Sequence, residues 1–207
     1  MRLFERFSKT YCINLKKRVD RLENFIREVK KYDLGEFEVF EAIDGVTLDL
    51  HPTLLKGEVG IIHSVIEILE NATKNNYDSI LIIEDDCTFN DNIKNIDLYF
   101  KLLPDNWDMV YFGGNHNTHE GTKPPEIINE KIIKLHRTFA AHCIGIKNHM
   151  FKIILTELKK FLYQLDVVYQ KLQLTHNIYC FNPLVASQKP GFSDIQNRHV
   201  NYDFLIK

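Results

Sequence analysis

Three carboxylates in a row, Glu84-Asp85-Asp86, follow directly on the apolar run Ile80-Leu81-Ile82-Ile83. Three of those four apolar residues are β-branched, and such a run reads as a strand buried on both faces of a parallel sheet. Carboxylates at the end of a buried strand cannot stay charged unless something positive neutralises them. In open α/β sheets the carboxyl ends of the strands open on the crevice where ligands bind. The cluster is therefore placed to hold a hard divalent cation, which in turn would hold phosphate. A local reading competes with this one: Asp85 and Asp86 could simply cap a following helix.

The flanking segments must bring the cluster to such an edge. Tyr11 to Leu15 reads as a strand, and the basic turn Lys16-Lys17-Arg18-Val19-Asp20-Arg21 follows it. Val19, Leu22, Phe25, Ile26 and Val29 then recur at helical spacing to about Lys31. Strand, basic turn and helix open a nucleotide-binding α/β unit, with Arg18 and Arg21 near the helix N-terminus, where both suit phosphate; a solvated basic turn is the alternative. Phe37 to Ala42 predicts a second strand ending in the turn Asp44-Gly45, and a helix runs from Gly57 to about Thr73 with an apolar stripe.

Beyond the acidic cluster, residues 93–103 predict a helix stopped by Pro104, and Trp107 to Phe112 another buried strand. The polar stretch from Asn115 to Pro125, with His116 and His119, is expected to be a mobile active-site loop. Residues 132–135 and 139–146 look like two strands forming a hairpin-like pair on the sheet. A helix over 150–161 and a short helix that Asp166 could cap come next. The turn-rich tail carries Ser193-Asp194 and His199. With no repeat, low-complexity stretch or linker, a single domain over 1–207 is expected.

Bulk properties narrow the class. The 207 residues carry 26 basic and 28 acidic side chains, a net charge of −2, so no broad basic face for nucleic acid is expected. No apolar run is long enough to span a bilayer, and the start Met1-Arg2-Leu3-Phe4-Glu5-Arg6 breaks its apolar residues with charge, unlike a signal peptide. Cys12, Cys87, Cys143 and Cys180 form no CxxC pair and read as reduced core residues. A cytoplasmic setting follows as the expectation. The wealth of Ile, Lys and Asn points to an AT-rich genome, bacterial or that of a large virus, whose protein would then work in host cytoplasm.

Three stretches in order resemble glycosyltransferase family 25, which includes bacterial lipopolysaccharide sugar transferases and procollagen galactosyltransferases. Ile13-Asn14-Leu15-x-x-Arg18-x-Asp20-Arg21 is similar to its INLxxRxDR opening, Gly57-Glu58-Val59-Gly60 to its GEIGC element, and Ile82-Ile83-Glu84-Asp85-Asp86 to its ILEDD form of the DxD motif. The chain departs from the pattern at Ile61, where the family has Cys, and at Val65, where Ser64 should be followed by His; His63 lies two positions away.

The resemblance implies a GT-A, Rossmann-like fold: a mostly parallel central sheet with helices on both faces. It implies inverting transfer of a hexose, galactose or glucose, from a UDP-sugar with Mn2+ (Mg2+ as the alternative) to a hydroxyl of a glycan or of hydroxylysine in a collagen-like protein. Glu84, Asp86 and His199 would hold the metal, and Asn14, Arg18, Arg21, Asp44, Ser64, Glu84 and Asp85 the donor. Asp166 would be the base for the acceptor hydroxyl, with Asp194 as runner-up. Two other readings stay open: a receiver-type phosphoacceptor domain, and a nucleotide-sugar or glycan-binding module on a degenerate transferase scaffold.

Overall fold

The computed structural model describes residues 1–116, 123–196 and 198–201. β1 (Lys9–Asn14) leads through the basic turn into α1 (Val19–Tyr32). That helix stops at Asp33 in the left-handed conformation, where Leu34 N–H bonds to Val29 O and buries Leu34. β2 (Glu38–Glu41), α2 (Lys56–Lys74) and β3 (Ser79–Glu84) follow. Glu58 starts α2 by accepting the Leu55 N–H at 2.8 Å, and the stripe Val59, Ile62, Val65, Ile66 and Leu69 is buried as its spacing requires.

The chain continues with β4 (Cys87–Phe89), α3 (Ile96–Leu102), β5 (Met109–Tyr111), β6 (Asn115–His116), β7 (Glu126–Asn129), β8 (Ile132–Lys134), β9 (Thr138–Phe139) and β10 (Cys143–Lys147). It then forms α4 (Asn148–Leu158), α5 (Leu165–Leu172), β11 (Ile178–Phe181), β12 (Ala186–Gln188), β13 (Gly191–Ser193) and β14 (Arg198–Val200). Asp85-Asp86 turns into a strand, β4, so neither residue caps a helix there. The helix expected over 93–103 is divided: a 3-10 turn at Asp91–Asn95, capped by Asn90, precedes α3.

Eight strands form one sheet in the order β2-β1-β3-β10-β5-β11-β8-β7. β2, β1, β3, β5, β11 and β7 run one way, and β10 and β8 run against them. The sheet is therefore mixed and mostly parallel. Alternation along its strands divides the core into two layers. Tyr11, Ile13, Ile80 and Ile82 pack on α2, α4 and α5, while Cys12, Leu81 and Ile83 pack with α1 and α3 on the other face.

The expected hairpin of residues 132–135 with 139–146 does not form. β8 pairs with β7 and β11, whereas β10 lies between β3 and β5. The reason lies in the burial of Cys143-Ile144-Gly145-Ile146 on both faces, which suits only a central strand. Gly145 makes room there for Phe7, since a Cβ would lie 2.6 Å from that ring. All four cysteines are buried and free, as their apolar surroundings suggested. Among the described residues, no helix is long and apolar enough to cross a membrane. His119 and most of the expected active-site loop lie outside the described residues.

Candidate functional site

The parallel pairing of β1 with β3 sets Ile13 beside Glu84, so the first strand and the acidic strand end at the same edge. A cleft of about 980 Å³ opens there, and Glu84, Asp85, Asp86, Arg21, Asp44 and Asp166 all line it. Asp85 is almost fully buried and held from two sides, by Asn14 Nδ2 at 2.7 Å and by an Arg21 guanidinium nitrogen at 2.7 Å. The second guanidinium nitrogen of Arg21 donates to Asp86 Oδ2 at 3.1 Å. Asp86 Oδ1 is buried without a hydrogen-bond partner.

Burial dominates the electrostatics. It pushes the Glu84 carboxyl up to about 8, reinforced by the charges of Asp86 and Asp85 and opposed by Arg21. Asp85 rises to about 6 for the same first reason, with Arg21 opposing; Asp86 is also raised by burial. Three acids share one close guanidinium, so the edge is short of positive charge. The orphaned Asp86 oxygen and this charge deficit fit a divalent cation held by one or two carboxylates, with substrate phosphates and water completing its shell. Among the described residues, no group of three His, Cys, Asp or Glu side chains is gathered for a metal. His199 is accordingly not assembled with Glu84 and Asp86: it sits exposed on β14, its ring edge-on to Phe192 at 5.6 Å.

The residues expected at the donor end have divided roles. Asn14 donates to Asp85 and to Arg18 O, which makes it a support of the cluster. Arg18 pairs with Asp20 at 3.0 Å and closely with Asp194, outside the lining of the main cleft. Asp44 lines the cleft, caps the turn at Val46 and pairs with Lys17 at 2.7 Å. Ser64 corrects an expectation. It is fully buried, accepts from Ile43 N–H and donates to Gly60 O, both at 2.9 Å, so it ties α2 to the loop before Asp44 instead of meeting a ligand. Val65, in the place of the family histidine, is buried core.

The glycines of the Gly57-Glu58-Val59-Gly60 stretch have a packing reason. A Cβ on Gly57 would lie 2.5 Å from Ile195 Cα, and one on Gly60 2.5 Å from Ile43 O. Both are close backbone approaches that only glycine permits. The first seats the C-terminal segment against α2. That segment also reaches the acids: Gln188 Nε2 donates to Glu84 Oε2 at 3.2 Å, and Lys189 N–H donates to Asp86 O at 2.8 Å. Nothing in the spacing around Gln188 singled it out, because its partners lie about a hundred residues away.

Asp166 faces the same cleft from the first turn of α5. Burial raises its pKa, against the N–H groups of Val167, Asp166 itself and Ala140. Its charge also raises Glu84, so the two carboxyls share one field. Asp194 reaches the cleft too, but Arg18 engages its carboxylate. His116 bonds through Nδ1 to Thr138 Oγ1 at 2.9 Å.

Residues 7–159 match the sequence profile described as glycosyltransferase family 25 (LPS biosynthesis protein). A glycosyltransferase of Acanthamoeba polyphaga mimivirus is 27% identical over 151 residues, covering 66% of this chain and 45% of that protein. Procollagen galactosyltransferase 2 of Mus musculus is 25% identical over 132 residues, covering 52% and 21%. The chain thus spans less than half the length of these relatives. Among solved structures, a glycosyltransferase involved in glycosylation of the major capsid of PBCV-1 is similar at 14% identity and a TM-score of 0.49, covering 84% of this chain and 81% of that one. A Drosophila β-1,4-galactosyltransferase in complex with manganese, UDP-Gal and xylobiose gives 11% identity and a TM-score of 0.45, covering 94% and 75%. The family profile runs through the strand-and-turn opening, the paired glycines of α2 and the acidic end of β3, and on that match the chain belongs to glycosyltransferase family 25.

Proposed function

We propose that the chain is a metal-dependent, inverting hexosyltransferase of the GT-A type, moving galactose or glucose from a UDP-sugar to a hydroxyl of a glycan or of hydroxylysine. One observation carries the reading: the acidic end of β3, with its unpartnered Asp86 oxygen, opens on the same cleft as Asp166. Asp86 and Glu84 would hold a divalent cation, manganese first and magnesium as the alternative. Bound there, that ion would offset the charge of the diphosphate leaving group. Arg21 and Asn14 keep Asp85 fixed, so the acidic turn is ordered before any ligand arrives. Asp166 takes the proton of the acceptor hydroxyl as it attacks the anomeric carbon from the side opposite the leaving group.

The test is a panel of UDP-galactose and UDP-glucose with and without Mn2+, read by thermal stabilisation and by UDP release. Metal-dependent stabilisation with release is the expected result. No affinity for UDP under either condition would remove the transferase reading. Val65 in the place of the family histidine favours a second reading, a nucleotide-sugar-binding module, which binding without release would select.

A further inference from the structure

Gln173 directly follows the last residue of α5 and is almost fully buried, yet it touches neither the acids nor the cleft. Its side-chain amide grips Thr138 by both backbone groups: Thr138 N–H donates to Oε1 at 2.8 Å, and Nε2 donates to Thr138 O at 2.8 Å. A longer contact of 3.4 Å joins Nε2 to the Tyr111 hydroxyl, and His116 holds the Thr138 hydroxyl from the other side. The gripped residue starts β9, and Phe139, Ala140 and Ala141, which follow it, line the cleft. Ala140 adopts φ +74, a left-handed conformation that a residue with a Cβ holds only when its surroundings impose it. Ala140 and Asp166 line the same cleft.

We propose that Gln173 is a positioning residue: by clamping both backbone groups of Thr138 it holds the strained segment 139–141, which lines the cleft together with Asp166. The geometry is closed at both ends, because Asp166 and Gln173 belong to one helical segment. The carboxylate and the clamp therefore sit on one rigid element. An apolar side chain at 173 would leave a buried N–H and C=O of Thr138 unpaired and release the segment that follows. The catalytic part of the proposal rests on the reading of Asp166 as the base; the structural part does not.

The test compares wild type, Gln173→Met and Asp166→Asn in the full chain. Amide hydrogen exchange at Ala140 is measured by NMR, and the hydrolysis of UDP-galactose with Mn2+ is followed by UDP release. In Gln173→Met, exchange at Ala140 is expected to rise about tenfold or more relative to α4 amides. kcat should fall about tenfold with KM for UDP-galactose unchanged, since small misplacements of a reacting group cost rate, not donor affinity. Exchange at Ala140 that only follows global stability would overturn the proposal. So would unchanged kcat in Gln173→Met where Asp166→Asn is inactive. If Asp166→Asn keeps wild-type turnover, or wild type turns over no UDP-galactose, the base assignment fails and the exchange arm alone decides the clamp. Should Gln173→Met not fold, Gln173→Glu serves in its place: it keeps the bond from Thr138 N–H, loses the donor to Thr138 O and is expected to shift the same readouts.

Discussion

At the scale of single residues, the acidic turn divides its three carboxylates by partner. Asp85 is satisfied by Asn14 and Arg21 and acts as the anchor; Asp86 keeps one oxygen unpartnered. Asp86→Ala is therefore expected to abolish the Mn2+-dependent part of UDP affinity, on the order of a hundredfold, while leaving metal-free stability unchanged or raised, because a buried charge is removed. Isothermal titration with and without Mn2+ checks this. Ser64→Ala should behave oppositely, costing about 1 kcal/mol in urea unfolding with donor affinity intact, since its hydroxyl bonds only to backbone. The motif residues themselves were legible in the sequence. Their partners were less so: Asn14 and Arg21 stand some 70 positions before the acids they hold, and a distance along the chain says nothing of such a pairing.

At the scale of elements, the long helices α1 and α2 and the buried strand β3 followed their periodicities, because an apolar stripe or run has few ways to be buried, whereas the helix expected over 93–103 and the strand expected over 139–146 were each divided. Strand pairing did not follow in the same way. Residues 139–146 carried a strand pattern, but only the competition among neighbours places Cys143–Lys147 between β3 and β5. The close approach of α2 to the C-terminal segment is likewise tertiary. Gly57→Ala should push Ile195 away from α2 and weaken donor binding several-fold in the same titration, with a smaller effect on overall stability than Gly145→Ala. The latter forces Phe7 to shift inside the core and is expected to cost about 1–3 kcal/mol in chemical denaturation.

At the scale of the whole molecule, two buried groups set opposing pH limits. The His142 imidazole is almost fully enclosed, and burial lowers its pKa to about 4. Its folded pKa lies below the unfolded value, so stability is full above about pH 6.5 and declines as pH falls toward 4, by about 3 kcal/mol in total. Glu84 has the opposite sign. Its folded pKa of about 8 exceeds the unfolded value, so the cation-free fold weakens as pH rises from about 4.5 to 8. Thermal midpoints across pH should therefore peak at intermediate values, and added Mn2+ should stabilise more at pH 8 than at pH 5.5. The sequence by itself determined the α/β class, the order of the elements and the acidic strand end, because hydrophobic period and residue type act locally. Only the tertiary structure decided which carboxylate is left unpartnered, that Ser64 and His199 stand apart from the cluster, and that Asp166 faces it, because each depends on which distant backbone and side-chain groups pack together.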